Sequence, residues 1–294
     1  MILSASMIES IHIAASAGGP MVSLPAVDVR AGVGLAGDRY AARAGFWRDT
    51  RVSRDVTLIE SETIGDLAIS YGIKLSPGAT RRNLTTRGVR LNELAGTFFW
   101  IGEVLAKGTK LCEPCTHLVE LTGEPVLEPL VHRGGLRADL LMDGTIHCGD
   151  PVLPVEEQPG VGVIVHREGK VLLGQRLSSH GRGTWSPPGG KPNPGESTEA
   201  CGIRELEEET GLVASRAEVV GETVDGFPES RLVFRTRFIT VDVVGEPHVR
   251  EPGKTGIWSW YRWDEIPAPL FRPLASLVAS GYRPHRNDQT QITP

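Results

Sequence analysis

Between Gly190 and Leu212 the chain reads GKPNPGESTEACGIRELEEETGL, and four of the five positions from Glu205 to Glu209 are glutamate. Like charges three and four apart on a helix repel by a few tenths of a kcal/mol per pair. The crowding therefore marks either a solvated face or the place of a positive partner. At about 100° per residue, Glu205, Glu208 and Glu209 fall on one helix face, and Glu207 is left to solvent. Ala200, Ile203, Leu206 and Thr210 make a different stripe, suited to packing on a sheet. Converging carboxylates are hard oxygen ligands that suit Mg²⁺ or Mn²⁺. Such a cation polarises a phosphoryl group for attack by water.

A second set of reactive types is Leu111-Cys112-Glu113-Pro114-Cys115-Thr116-His117, which contains a C-x-x-C. Three readings compete for it. A zinc half-site would need two more ligands, and His147-Cys148 is the nearby pair. A redox pair should precede a helix in a βαβ unit, whereas this one follows a β-run among short strands. Buried inert thiols are the third.

The elements around these residues divide the chain in two. IESIHIAA (8–15), DVTLIE (55–60), FFWIGEVLAKGTKLC (98–112) and GTIHCGDPVLP (144–154) read as strands separated by turns. SETIGDLAISYGI (61–73) reads as a short helix and Leu118 to Leu130 as another, interrupted by Gly123 and Pro125. Many short strands with few helices point to a β-barrel-like domain over 1–154. Residues 155–160 are polar and Pro-bearing and read as a linker, followed by an α+β domain over 161–283 and a flexible tail over 284–294. In the second half GVGVIVHREGKVLLGQR is a hairpin turning at 167–170. A Gly- and Pro-rich loop (181–195) then leads to a helix with Ser197 or Thr198 as N-cap and Gly211 as its stop. Further β-runs follow at AEVVGETV, RLVFRTRFITVDVV and TGIWSWYRW, with a last helix around LFRPLASLVAS.

Composition narrows the function classes. With 294 residues, 40% apolar and 23% charged, the chain is an ordinary globular protein of about two domains. A net charge of −5 gives no general footprint for nucleic acid or an anionic membrane. No apolar run approaches a membrane span of ~18 residues. The start, MILSASMIES, lacks a basic region followed by an apolar core, so no secretory signal is expected. Four cysteines make no disulfide scaffold in a chain this long, and a reducing cytoplasm is the expected location.

From Gly190 the spacing is five residues, Glu196, seven residues, then Arg204-Glu205-Leu206-Glu207-Glu208-Glu209-Thr210-Gly211-Leu212. This matches every fixed position of the Nudix hydrolase signature, Gly-x5-Glu-x7-Arg-Glu-U-x-Glu-Glu-x-Gly-U with U aliphatic. Trp185-Ser186-Pro187-Pro188-Gly189-Gly190 resembles the family's entry loop. The resemblance covers roughly 159–283 and implies an α/β/α sandwich. It implies that Glu205, Glu208 and Glu209 are metal ligands together with the Gly190 carbonyl, and that Arg204 orients carboxylates with Glu196 as partner. The implied reaction is attack of water on phosphorus, with Glu205 or a carboxylate from a later loop, Glu251 being a weaker candidate, as general base. GTWSPPGGKPNPGES and EPGKTGIWSWYRWDEIPAPLF resemble the branch that cleaves nucleoside triphosphates to monophosphate and pyrophosphate, with modified or oxidised bases as a substrate class by analogy. Lys191, Arg176 and Arg204 could place cations near phosphates. Trp258, Trp260 and Trp263 read as core more than as base-stacking residues, and Phe227 and Phe271 are weaker stacking candidates.

In the first half, Gly34-Leu35-Ala36-Gly37-Asp38-Arg39-Tyr40, Arg82-Asn83-Leu84, Gly96, Gly102, Pro114-Cys115, Arg133-Gly134-Gly135, Gly144 and Gly149-Asp150 occur in an order that resembles the MOSC domain over about 7–154. That domain is named from the C-terminal part of molybdenum cofactor sulfurases. The resemblance implies a β-barrel in which Cys115 carries sulfur or ligates the molybdenum of a pterin cofactor (molybdopterin). Asp38, Arg39, Arg82, Asn83 and Arg133 are the residues expected at that cofactor. Catalysis is thus expected from Glu205, Glu208 and Arg204 in one half and Cys115 in the other. Small MOSC proteins are associated with reduction of N-hydroxylated compounds, so a redox partner for this half joins the nucleotide substrate as an expected partner, and an oligomer stays open.

Overall fold

The structure, a computed structural model, describes residues 6–46 and 55–284. The chain divides into two compact units, Met1–Glu156 with Gly226–Leu232, and Glu157–Asp225 with Val233–Pro294. Of the expected tail over 284–294, residues 285–294 lie outside the described residues. No helix among the described residues is long and apolar enough to cross a membrane.

The first unit contains strands β1 (Met7–Ile13), β2 (Val22–Leu24), β3 (Ala26–Arg30), β4 (Gly34–Leu35), β5 (Val56–Glu60), β6 (Leu84–Arg87), β7 (Phe98–Ile101), β8 (Val104–Leu111), β9 (Leu136–Leu140), β10 (Gly144–His147) and β11 (Val152–Val155), with helices α1 (Ser61–Ser70) and α2 (Thr116–Thr122). Eight strands form one sheet in the order β11-β7-β8-β9-β5-β6-β1-β2, and β10-β3-β4 form a second. A bridge between Met7 and Pro151 brings the β11 end of the large sheet back to β1, so the sheet curls into a strand-rich half-barrel. Ile8, Ile11, Leu58, Leu84, Phe99, Ile101, Leu136 and Ala138 are fully buried at its centre. The helix expected over 118–130 stops at Thr122, because Gly123 adopts the left-handed conformation (φ 70°) and Pro125 cannot continue a helix. Within the expected linker over 155–160, β11 runs to Val155 and a strand resumes at Glu157, so Glu156 alone lies outside a strand.

The second unit contains β12 (Glu157–Arg167), β13 (Lys170–Arg176), β14 (Trp185–Ser186), β15 (Gly189–Gly190), α3 (Thr198–Thr210), β16 (Val213–Phe227), β17 (Leu232–Val244), β18 (Thr255–Arg262) and α4 (Arg272–Ala279). Its sheet has the order β14-β13-β12-β17-β16, with β15 paired to β12 and β18 to β13. Alternation along β12 serves two faces. Val163 and Val165 pack with Leu206 of α3, whereas Ile164 packs with Leu274 and Leu277 of α4. Helices on both faces make the α/β/α sandwich. Trp258 and Trp260 pack into the α3 face and Trp263 into the α4 face, as core.

Candidate active site

Helix α3 is positioned by its caps and by one close contact. Ser197 Oγ accepts the Ala200 N–H at 3.1 Å, and Gly211 closes the helix at φ 75°. The face that meets the sheet is Cys201, Gly202, Leu206 and Thr210. Ala200, expected in that stripe, is exposed instead. The shift follows from Gly202, whose missing side chain leaves room for Ile239 and lets the helix lie close to the sheet.

This seating turns the glutamates toward the β15 loop. Arg204 is their organiser. Its Nε and Nη2 donate to Glu196 at 2.8 and 2.9 Å, its Nη1 donates to Glu205 Oε1 at 2.8 Å and Glu208 Oε2 at 3.2 Å, and Nη2 also reaches the Lys191 carbonyl. The Arg204 guanidinium and the Asn193 N–H hold the Glu196 carboxyl down to about 2. Glu205 lies directly against the backbone of Gly190. Glu209 accepts the Gly189 N–H at 3.1 Å. Burial, and the charges of Glu205 and Glu251 beside it, push the Glu209 carboxyl up to about 7. Glu251 pairs with Lys254 at 2.8 Å, and the acids of this cluster raise the Lys254 ammonium in turn. Glu207 is exposed. Among the described residues no three His, Cys, Asp or Glu side chains stand gathered at metal-ligand spacing, because Arg204 and Gly189 hold the carboxylates. The donor set nevertheless suits a divalent cation. Glu205, Glu208 and Glu209 offer hard carboxylate oxygens around the backbone of Gly189-Gly190, and a cation held there would offset their charge.

A pocket of about 200 Å³ opens at the same Gly189-Gly190 edge. Phe234, Phe271 and His180 supply its rings and Ser186 and Thr236 its hydroxyls. The Arg176 guanidinium stacks on Phe271 at 4.1 Å and its Nε donates to the His180 carbonyl. Burial lowers the Arg176 guanidinium, with the charge of Glu209 opposing the shift. Lys191 lies over Phe234 at 5.0 Å. Phe271 is thus in the pocket, and Phe227 is not among its lining residues. Sequence reasoning missed Phe234 and His180. The signal for Phe234 was the period-2 run Phe234-Thr236-Phe238 opposite Gln158-Gly160-Gly162, where a side chain on Gly162 would run into the Phe238 ring.

In the first unit, Cys112 and Cys115 line a smaller pocket of about 90 Å³ together with Arg39, Arg81, Arg82 and Arg137. Cys112 is buried, Cys115 half-buried, and all four cysteines of the chain are free. Cys148 is exposed, its Sγ on the Leu24 carbonyl. Arg82 is held in place by the carbonyls of Gly134 (2.7 Å), Cys112 (2.9 Å) and Thr80 (3.3 Å). Asp38 and Asn83 are buried behind the pocket: Asp38 Oδ2 accepts from Arg39, Asn83 and the Ala14 N–H. They brace Arg39 and do not line the pocket. Arg133 is elsewhere, paired with Asp66 at 2.8 Å in the open. Arg81, in the left-handed conformation at φ 63°, was missed; burial and the neighbouring Arg39 lower its guanidinium. His117, stacked on Phe46 at 4.2 Å, completes the rim.

The family model described as NUDIX domain matches residues 156–280, and that described as MOSC domain matches residues 37–153. The chain is similar to an RNA pyrophosphohydrolase of Cereibacter sphaeroides, at 30% identity over 161 residues, 46% of this chain and 96% of that protein. It is similar to the 8-oxo-dGTP diphosphatase of Haemophilus influenzae at 34% over 102 residues, 34% of this chain and 74% of that protein. A MutT NUDIX hydrolase from Burkholderia pseudomallei, solved by crystallography, is 29% identical, covering 42% of this chain and 95% of its own, with a TM-score of 0.40.

Proposed function

The chain belongs to the Nudix hydrolase family and carries a MOSC domain, and from that premise we propose that it cleaves nucleoside triphosphates, modified or oxidised ones included, to monophosphate and pyrophosphate with Mg²⁺ or Mn²⁺. It is a hydrolase of pyrophosphate bonds. The observation that carries the finer reading is the junction of two features at Gly189-Gly190: the carboxylate cluster on one side and the ring-lined, cation-bearing pocket on the other.

Glu205, Glu208, Glu209 and the Gly190 carbonyl would hold the cation. When bound, it supplies positive charge to the phosphoryl oxygens. Arg204 keeps Glu205 and Glu208 pre-aimed, anchored in turn by Glu196. Water attacks phosphorus, the bridging P–O bond breaks, and pyrophosphate leaves with its electron pair. The proton of the attacking water passes to Glu205 Oε2, the oxygen that Arg204 leaves free, with Glu251 a second acceptor in the same cluster. The pocket rings stack the base, and Arg176 meets an acceptor on base or phosphate. Arg176→Ala is expected to raise KM about ten- to hundredfold, the worth of one or two charge-assisted hydrogen bonds, with kcat less affected. A panel of nucleoside triphosphates assayed with Mg²⁺, products identified, tests the whole reading. Phosphate as the only product, or no turnover on any triphosphate, sinks it.

The Cys115 pocket supports a second reading, in which this half carries sulfur or holds a molybdenum cofactor and, with a redox partner, reduces N-hydroxylated compounds. Its half-buried thiol is a soft ligand and its guanidiniums suit an anion, which fits such a cofactor. Cys115→Ser is expected to remove molybdenum or persulfide from the purified protein and to leave triphosphate hydrolysis unchanged. Elemental analysis and persulfide labelling check it, and equal content in wild type and variant defeats the role. The free thiols suit the cytoplasm, where we place the protein.

A further inference from the structure

β16 is the last strand of its sheet. β17 covers one side of it, and among the described residues no strand lies beyond the other. An edge fifteen residues long exposes a row of N–H and C=O groups that can template another strand. Edges of this kind are normally blunted by proline, a bulge, charged side chains or a covering element. The outer stretch of β16, VASRAEVVG from Val213 to Gly221, has no proline and carries one cation and one anion, Arg216 and Glu218, on either side of Ala217. Both side chains are open to solvent, at 75% and 66%, and their contact within the strand is a loose 3.9 Å.

We propose that β16 pairs with β16 of a second copy of this chain, antiparallel about a two-fold axis at Ala217. That register sets Arg216 directly opposite the partner copy's glutamate at the equivalent of Glu218, twice by symmetry, and opposite charges facing across a ladder attract. The neighbouring registers are disfavoured. A two-fold at Arg216 would face arginine with arginine, and one at Glu218 would face glutamate with glutamate. The Ala217 register also covers apolar surface. Val219, 45% exposed, lies on the same sheet face as Ala217 and becomes a diagonal neighbour of the partner copy's Ala217 across the axis. Such an interface is isologous and closes at two copies, ending the exposed edge rather than extending it into a filament.

The test uses the full chain in sedimentation velocity over a concentration series, with Glu218→Arg and the double swap Arg216→Glu/Glu218→Arg. The wild type is expected to dimerise. Glu218→Arg, which sets arginines against one another, is expected to weaken the dimer about tenfold or more, and the double swap to restore it. All three should hydrolyse substrate at the same rate, because neither residue lies at the carboxylate cluster or its pocket. A wild type that stays monomeric throughout overturns the proposal. So does a dimer that Glu218→Arg leaves untouched, which would put the contact on another face, or an open-ended assembly, which would exclude the two-fold.

Discussion

Replacing Glu208 by glutamine is expected to lower kcat by about a hundred- to a thousandfold, since one lost ligand removes several kcal/mol of charge stabilisation and each ~1.4 kcal/mol is tenfold in rate. Folding should scarcely notice. The Glu208 side chain is 56% exposed and its hydrogen-bonding partner is Arg204 at 3.2 Å, an ion pair of a kind worth about 0–1 kcal/mol at a surface. The combination separates two explanations of a Glu-rich helix. On a solvated face, loss of one charge among four would relieve repulsion and leave turnover alone. In a cation site, glutamine keeps the shape but surrenders the charge, so kcat falls and extra Mg²⁺ recovers part of it. Glu207→Gln on the opposite, exposed side is the control and should behave as wild type. Steady-state kinetics across a Mg²⁺ titration, with thermal melts of all three proteins, decide the matter. Wild-type turnover in Glu208→Gln would remove Glu208 from the site.

What the sequence made legible follows from the range of the interactions involved. The α3 caps and the face shared by Glu205, Glu208 and Glu209 depend on neighbours within a turn, so spacing alone displays them. The stripe that packs on the sheet depends on what approaches it. Gly202 faces Ile239, a residue far away in the chain, and moved the contact from Ala200 to Cys201 and Gly202. The pocket was harder still. Phe234 and Phe271 come from separate elements, and only the parallel pairing of β12 with β17 shows why Gly160 and Gly162 are glycines. In the first unit, Cys115, Arg39 and Arg82 meet in one pocket, yet Arg133 goes to Asp66 and Asp38 and Asn83 go behind the wall. Short central strands explain the difference. β6, four residues long between β5 and β1, carries too little alternation to be read, although its position beside Arg81, Arg82 and Asn83 decides where they lie.

The two glycines at the junction of cluster and pocket offer the sharper separation of chemistry from folding. A Cβ on Gly190 would land on the Glu205 carboxyl group, the free end of a flexible side chain. Gly190→Ala should therefore fold normally by letting Glu205 swing aside. The swing moves that carboxylate by about 1 Å, and a misplacement of that size can cost ~100-fold in rate. A Cβ on Gly189 would land on the Val161 carbonyl oxygen, in the backbone of β12 where β15 pairs with it. No side-chain rotation relieves that collision, so Gly189→Ala must part the strands and is expected to cost ~1–3 kcal/mol of stability, as overpacking does. Both variants should lose activity, but only Gly189→Ala should lose thermal stability. Gly190→Ala with full turnover would mean that the reaction does not need Glu205 where it lies. Gly190→Ala with a lowered melting point would mean that the Glu205 carboxylate is held too firmly to yield, by the same Arg204 that aims it.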